Sequence, residues 1–135
     1  MRWPWKTTRT ARRQFGDRGE ALACGYLKKK CRMKILCRNV LYTDGELDIV
    51  ALDGNDLVFV EVRTRSSEEY CSPEQSVNLA KRQTVTAAAR RFIRTRRVHE
   101  FRPRFDVVAI VLPPGGVPEI RHHRNAFSFA GDAAG

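Results

Sequence analysis

The sequence predicts an α/β fold, a mixed central sheet of about five strands flanked by helices. Three observations carry this prediction. Two segments repeat apolar residues at helical spacing, three strand-like runs lie between them, and a strongly apolar run follows the second helix. The resulting order of helix, three strands, helix, strand, strand makes a two-layered sandwich around one sheet.

At 135 residues the chain is long enough for one domain with a core of its own, so neither metal nor disulfide is needed for folding. A 42% hydrophobic and 30% charged composition excludes a wholly disordered or fibrous chain. No run approaches the roughly 18 apolar residues that span a bilayer. The opening Met1-Arg2-Trp3-Pro4-Trp5-Lys6 has no apolar stretch behind its charges and does not read as a secretory signal, so a cytoplasmic protein is expected. Residues 1–14 read as a basic flexible tail, 15–128 as the single domain, and 129–135, rich in small residues, as a second flexible tail.

The first helix spans about Asp17 to Cys31, with Cys24, Leu27 and Cys31 on one stripe. Glu20 falls on the same stripe. A carboxylate there costs several kcal/mol unless a cation or strong donor meets it, on the order expected for a buried charge. Alternatively Glu20 sits at the helix start, favoured by the macrodipole and still wet.

Strand-like runs follow at Met33–Val40, Glu46–Leu52 and Leu57–Arg63, the last two joined by Asp53-Gly54-Asn55-Asp56, whose Asp-Gly step marks a hairpin turn. Pairing Leu52 with Leu57 sets Val50 opposite Phe59, Asp48 opposite Glu61 and Glu46 opposite Arg63. Directly opposed like charges are destabilising, and a divalent cation between Asp48 and Glu61 would turn that repulsion into coordination. A one-residue slip or an exposed edge would instead remove the pair.

The second helix is expected from Ser72-Pro73-Glu74-Gln75, which supplies an N-cap Ser, a Pro at the first helical position and a capping-box Gln, to about Arg94. Val77, Val85, Ala88 and Phe92 form its apolar stripe, and Lys81 lies on that line. Arginines crowd its flanks and end. Such a cluster reads as a solvated face favoured by the helix dipole, and its excess fits phosphate contacts. Strands at Arg104–Val111 and around Glu119–His122 complete the sheet.

The formal charge is +10, unevenly spread: +10 over residues 1–40, −7 over 41–75 and +7 over 76–135. An acidic centre between basic arms suits a polyanion reader that holds a divalent cation, though a basic protein with an acidic surface loop has the same profile. Cys24, Cys31, Cys37 and Cys71 lack metal-binding spacing and are expected as small core residues, without disulfides. His99, His122 and His123 are read as structural.

Six ordered blocks, Gly19-Glu20-Ala21-Leu22-Ala23, Gly45 to Val50, Val58 to Arg65, Lys81-Arg82-Gln83, Arg104 to Val108 and Asn125-Ala126-Phe127, resemble the YraN family of uncharacterised predicted endonucleases over about residues 16–127. That family is similar to archaeal Holliday junction resolvases. The resemblance implies a restriction-endonuclease-like fold with a helical Glu, a strand Asp and a Glu-x-Lys, here Glu20, Asp48, Glu61 and, in place of the Lys, Arg63. It implies Mg²⁺ or Mn²⁺ on Asp48, Glu61 and Glu20, and a homodimer. Arg63 keeps the charge but cannot act as a base, and it could instead pair with Glu46 across the hairpin.

These readings lead to a metal-dependent nuclease acting on DNA, with branched DNA a candidate substrate and with Arg65, Lys81, Gln83, Arg90 and Arg94 contacting nucleic acid. The alternative is a nucleic-acid-binding module with a degenerate site, and a third reading is a basic partner of ribosomes or other assemblies.

Overall fold

Residues 4–131, with side chains from residue 11 onward, are described by the structure, a computed structural model. Helix α1 (Pro4–Lys29) is followed by strands β1 (Lys34–Tyr42), β2 (Gly45–Asp53) and β3 (Asp56–Arg65), a 3-10 turn (Pro73–Ser76), helix α2 (Leu79–Arg96), and strands β4 (Arg102–Val111) and β5 (Glu119–Phe127). The five strands lie in sequence order. All neighbours are antiparallel except β3 and β4, which α2 connects as a parallel pair. This mixed α/β sandwich is consistent with a restriction-endonuclease-like fold.

The two helices cover opposite faces of the sheet because β3 is apolar on both. Val58, Val60 and Val62 meet Ala23, Cys24 and Leu27 of α1, whereas Leu57 and Phe59 meet Val85, Ala88 and Phe92 of α2. Phe105 stacks on Phe59 at 5.5 Å and on Phe127 at 5.0 Å between ring centroids, joining β3, β4 and β5 beneath α2. At the turn end of the β2–β3 hairpin, Arg104 reaches Asp53 (3.0 Å), Asp56 (2.9 Å) and Asp106 (2.9 Å). That end is pinned, and the opposite end of the same hairpin carries the acids.

Several boundaries differ from expectation. Helix α1 begins at Pro4, so residues 4–14, expected as a tail, are helical: Pro suits the first helical position, and the polar run that follows shows no apolar stripe to betray it. Of the expected C-terminal tail, Phe129 packs edge-on against Phe105 and Gly131 is buried, whereas residues 132–135, like residues 1–3, lie outside the described residues. The second helix is divided. The Ser72 N–H donates to Gln75 Oε1 at 3.0 Å in the short turn, and α2 then starts afresh with Asn78 accepting from the Lys81 N–H at 3.0 Å. Strand β5 runs on to Phe127. Of the cysteines, all free thiols, Cys24 alone is buried; Cys31 and Cys37 are half-buried and Cys71 is exposed.

Candidate functional site

Two glycines set the helices against the hairpin. A Cβ on Gly19 would stand 2.0 Å from Thr64 Oγ1, so only glycine lets α1 approach the end of β3 this closely, and the next residue, Glu20, is thereby delivered to the acidic end of the hairpin. A Cβ on Gly45 would stand 2.6 Å from the Thr84 carbonyl oxygen. That contact holds the first turns of α2 on β2, from where Lys81 reaches over.

The hairpin register is the expected one from Leu52↔Leu57 through Val50↔Phe59 to Ile49↔Val60, where the pairing stops. One step further, the Asp48 carboxylate takes the place of a backbone carbonyl and accepts the Val62 N–H at 2.9 Å. Glu61, following Phe59 on the α2 side, stays beside Asp48 but is 2% exposed. Its Oε1 meets Arg63 Nη2 at 3.3 Å and Lys81 Nζ at 3.4 Å. Arg63 therefore pairs with its own strand neighbour, not with Glu46, because side chains at i and i+2 share a face of the strand.

The acids repel one another in a poorly solvated place. Burial first, and then the Asp48 charge, push the Glu61 carboxyl up to about 8; Lys81 and Arg63 pull the other way without cancelling this. Burial, followed by Asp48, raises Glu20 to about 7, opposed by Arg38, whose Nη2 is 4.0 Å from Glu20 Oε1. That Glu20 oxygen and Arg63 Nε are buried without a hydrogen-bond partner. Glu20, Asp48, Glu61, Arg63, Arg65 and Lys81, together with Arg12 and Glu46, line one open cavity of about 500 Å³. Among the described residues, no three His, Cys, Asp or Glu side chains form a ready-made cage for a cation. An ion here would take fewer than three ligands from such a set and complete its shell with water or phosphate, as Mg²⁺ commonly does.

The residues expected to contact nucleic acid divide. Arg65, turned toward its neighbour's carbonyl at 3.0 Å, and Lys81 belong to the cavity. Gln83 is exposed outside it, Arg90 lies over the Phe129 ring at 4.7 Å, and Arg94 is exposed further along α2. At 1.5 Å per residue, Arg90 and Arg94 are about 14 and 20 Å along the axis from Lys81. The union of Lys81 with Glu61 is the feature that sequence reasoning missed. Its one signal was the position of Lys81 on the apolar line of its helix.

Residues 19–110 match the model of the uncharacterised protein family UPF0102. The chain belongs to the UPF0102 family. A UPF0102 protein of Geobacter metallireducens is 42% identical over 118 residues, covering 87% of this chain and 95% of its own. UPF0102 proteins of Geobacter sulfurreducens (41% over 116 residues; 86% and 90% covered) and Rhodococcus jostii (42% over 113 residues; 84% and 95% covered) are similar throughout. The UPF0102 match begins at Gly19, the glycine that seats α1 on β3, and spans Glu20, Asp48, Glu61, Arg63 and Lys81. Among its described residues this UPF0102 chain has no helix long and apolar enough to cross a membrane.

Proposed function

We propose that this UPF0102 protein is a metal-dependent endonuclease that hydrolyses phosphodiester bonds in DNA. The observation that carries the reading is the meeting of Glu20, Asp48 and Glu61 with Lys81 and Arg63 around one open cavity. Carboxylate oxygens are the donors that hard divalent cations take. The Glu20 and Glu61 carboxyls, raised first by burial and then by the Asp48 charge, with one Glu20 oxygen lacking a hydrogen-bond partner, fit a cation that would relieve both conditions.

Asp48 and Glu61 would hold Mg²⁺ or Mn²⁺, with Glu20 facing it from α1. When bound, the ion supplies Lewis-acid charge to the scissile phosphate. The chain's own cations do the rest. Lys81 fixes the Glu61 carboxylate and presents a compact ammonium to the cavity, the kind of group that the Glu-x-Lys pattern carries on the strand. Arg63 holds the same carboxylate from the other side and is permanently charged, so it contributes orientation and electrostatic stabilisation without moving a proton. Arg12 and Arg65 stand where phosphates flanking the cut would pass. Branched DNA as the preferred substrate and a two-fold dimer are parts of this proposal that rest on the family resemblance.

One observation favours a second reading, a binding module that has lost turnover: Glu61 Oε1 already has two cations within 3.4 Å, an arrangement that can stand without metal. Incubation of the purified protein with linear, flapped and four-way-junction DNA in Mg²⁺, Mn²⁺ or EDTA separates the two. Metal-dependent cleavage supports the nuclease, and a gel shift without cleavage supports the binder.

A further inference from the structure

At the other end of α1, away from the acids, a second group of reactive side chains comes together. His122 of β5 is 5% exposed, and its Nε2 lies 2.8 Å from Oδ2 of the fully buried Asp106 on β4. Its Nδ1 faces outward to Tyr26 Oη of α1 at 3.3 Å and to Sγ of Cys31, just past the end of that helix, at 3.7 Å. Four elements of chemistry, a thiol, an imidazole, a carboxylate and a phenol, thus stand in one chain of contacts built from residues up to 96 positions apart.

The order of protons follows from the carboxylate. Burial works against ionisation of Asp106, but hydrogen bonds from His122, Arg104 and the Asn125 N–H outweigh it and hold the carboxyl below its usual range. An ionised Asp106 accepts the Nε2 proton, which leaves Nδ1 as an acceptor aimed at the phenol and the thiol. Of these two, the thiol is the stronger acid by more than a unit in ordinary solution. Tyr26, whose phenol is raised first by burial and then by Cys31, keeps its proton, and its Oη stands beside the same His122 nitrogen that the sulfur faces. In sequence Cys31 follows Lys28, Lys29 and Lys30 and precedes Arg32. Cys31 is half-buried against the apolar cluster on the α1 side, with the His122 ring nitrogen beside its sulfur.

We propose that Cys31 is a reactive thiol activated by the His122–Asp106 pair, and that it takes up low-molecular-weight disulfides of the glutathione class. In that step His122 Nδ1 accepts the Cys31 proton, and the sulfur attacks one sulfur of the incoming disulfide. The old S–S bond breaks as the new one forms. The released thiolate takes the proton back from His122, so Cys31 is oxidised to a mixed disulfide while half of the reagent is reduced to a free thiol. This inference does not depend on the nuclease reading.

Cys71 is solvent-exposed and provides an internal control in the same molecule. The experiment is site-resolved mass spectrometry of the full chain after timed exposure to iodoacetamide, and separately to oxidised glutathione, between pH 6 and 9. Cys31 is expected to react faster than Cys71 at pH 6.5 despite its partial burial. His122→Gln is expected to slow Cys31 by about tenfold or more, leaving Cys71 unchanged, as loss of an activating base should. Tyr26→Phe, which keeps the ring and removes only the hydroxyl, is expected to slow Cys31 by a few-fold. Reaction of Cys31 no faster than that of Cys71 at every pH would overturn the proposal. So would an unchanged Cys31 rate in a His122→Gln protein that keeps the wild-type circular dichroism. If His122→Gln fails to fold, Tyr26→Phe decides: a Cys31 rate equal to wild type overturns the proposal, and a slower one supports it.

Discussion

Asp48 accepts the Val62 backbone N–H at 2.9 Å at the point where β2 and β3 cease to pair, so a side chain finishes the ladder that the backbone leaves. One Asp48 oxygen is thereby spent on structure, and the rest of the carboxylate faces Glu61. Asp48→Ala removes both roles. It is expected to lose any metal-dependent activity and also to destabilise the chain by about 1–3 kcal/mol, the cost of leaving a buried N–H unpaired, read by urea denaturation. Asp48→Asn keeps an acceptor for Val62 and should recover most of that stability while leaving activity absent. Equal stability losses in the two variants would contradict the structural role.

The two cations on Glu61 are expected to be unequal. Lys81→Ala should lower DNA cleavage by about 10²-fold, as loss of a group stabilising charge at the reacting centre does, whereas Arg63→Lys should change it by less than about tenfold, because a cation remains at that position. Steady-state cleavage rates of the two variants check this. A fall with Arg63→Lys larger than that with Lys81→Ala would reverse the assignment.

Gly19→Ala tests the seating of α1. Alanine is the better helix former by about 1 kcal/mol, but its methyl would lie 2.0 Å from Thr64 Oγ1. Overpacking of this kind costs about 1–3 kcal/mol and should prevail. Gly19→Ala is therefore expected to destabilise the protein, with partial recovery in the Gly19→Ala/Thr64→Ala double variant. A more stable Gly19→Ala protein would contradict the close approach.

Glu20 and Glu61 have folded values raised to about 7 and about 8 from an ordinary 4.5. A raised acid binds its proton more tightly in the folded state. Its stabilising effect is therefore full below about pH 4.5 and is lost as pH rises toward 8. The metal-free protein should thus lose stability between pH 5 and 8, on the order of a few kcal/mol. Glu61→Gln should flatten that slope, and Mg²⁺ should raise the melting temperature more at pH 8 than at pH 6. A stability that climbs steadily from pH 5 to 8 in EDTA would contradict the raised carboxyls.

Nucleic-acid affinity should fall steeply with salt, with a log-log slope near −0.9 for each duplex phosphate contact. Arg65→Ala and Lys81→Ala should each make that slope shallower by about one contact. Arg90→Ala should not, since that guanidinium already lies on Phe129. Fluorescence anisotropy at graded salt measures all three, and a slope change confined to Arg90→Ala would move the interface to the far end of α2.

Much of this was legible because it is local. The Asp53-Gly54 turn signal fixes a register, and from it the adjacency of Asp48 and Glu61 follows by counting. The helical stripe that includes Glu20 follows from spacing alone. What spacing does not reveal is which distant side chains meet. Lys81 and Glu61 are 20 residues apart on different elements, and Lys81 could be read only as one more cation on a basic helix. The arginines of α2 looked free because their aromatic partners are far away in sequence or hidden in the pattern: Arg91 lies 5.2 Å from the Tyr42 ring centroid, and Arg96 5.3 Å from that of Phe92. The helical residues 4–14 carry no apolar periodicity, and Arg63 had two carboxylates within sequence reach, of which only the fold selects one. His122 and Cys31, each unremarkable alone, are joined only by the approach of β5 to the end of α1.

The most direct test of the central claim is a time course of cleavage on four-way-junction and flapped DNA by wild type, Asp48→Asn and Glu61→Gln, each in Mg²⁺, Mn²⁺ and EDTA, with binding measured in parallel. The account predicts cleavage by wild type in a divalent metal, none in EDTA, and none by either variant, with DNA binding retained throughout. Binding without cleavage by the wild type in both metals, or cleavage that persists undiminished in Asp48→Asn, would contradict it.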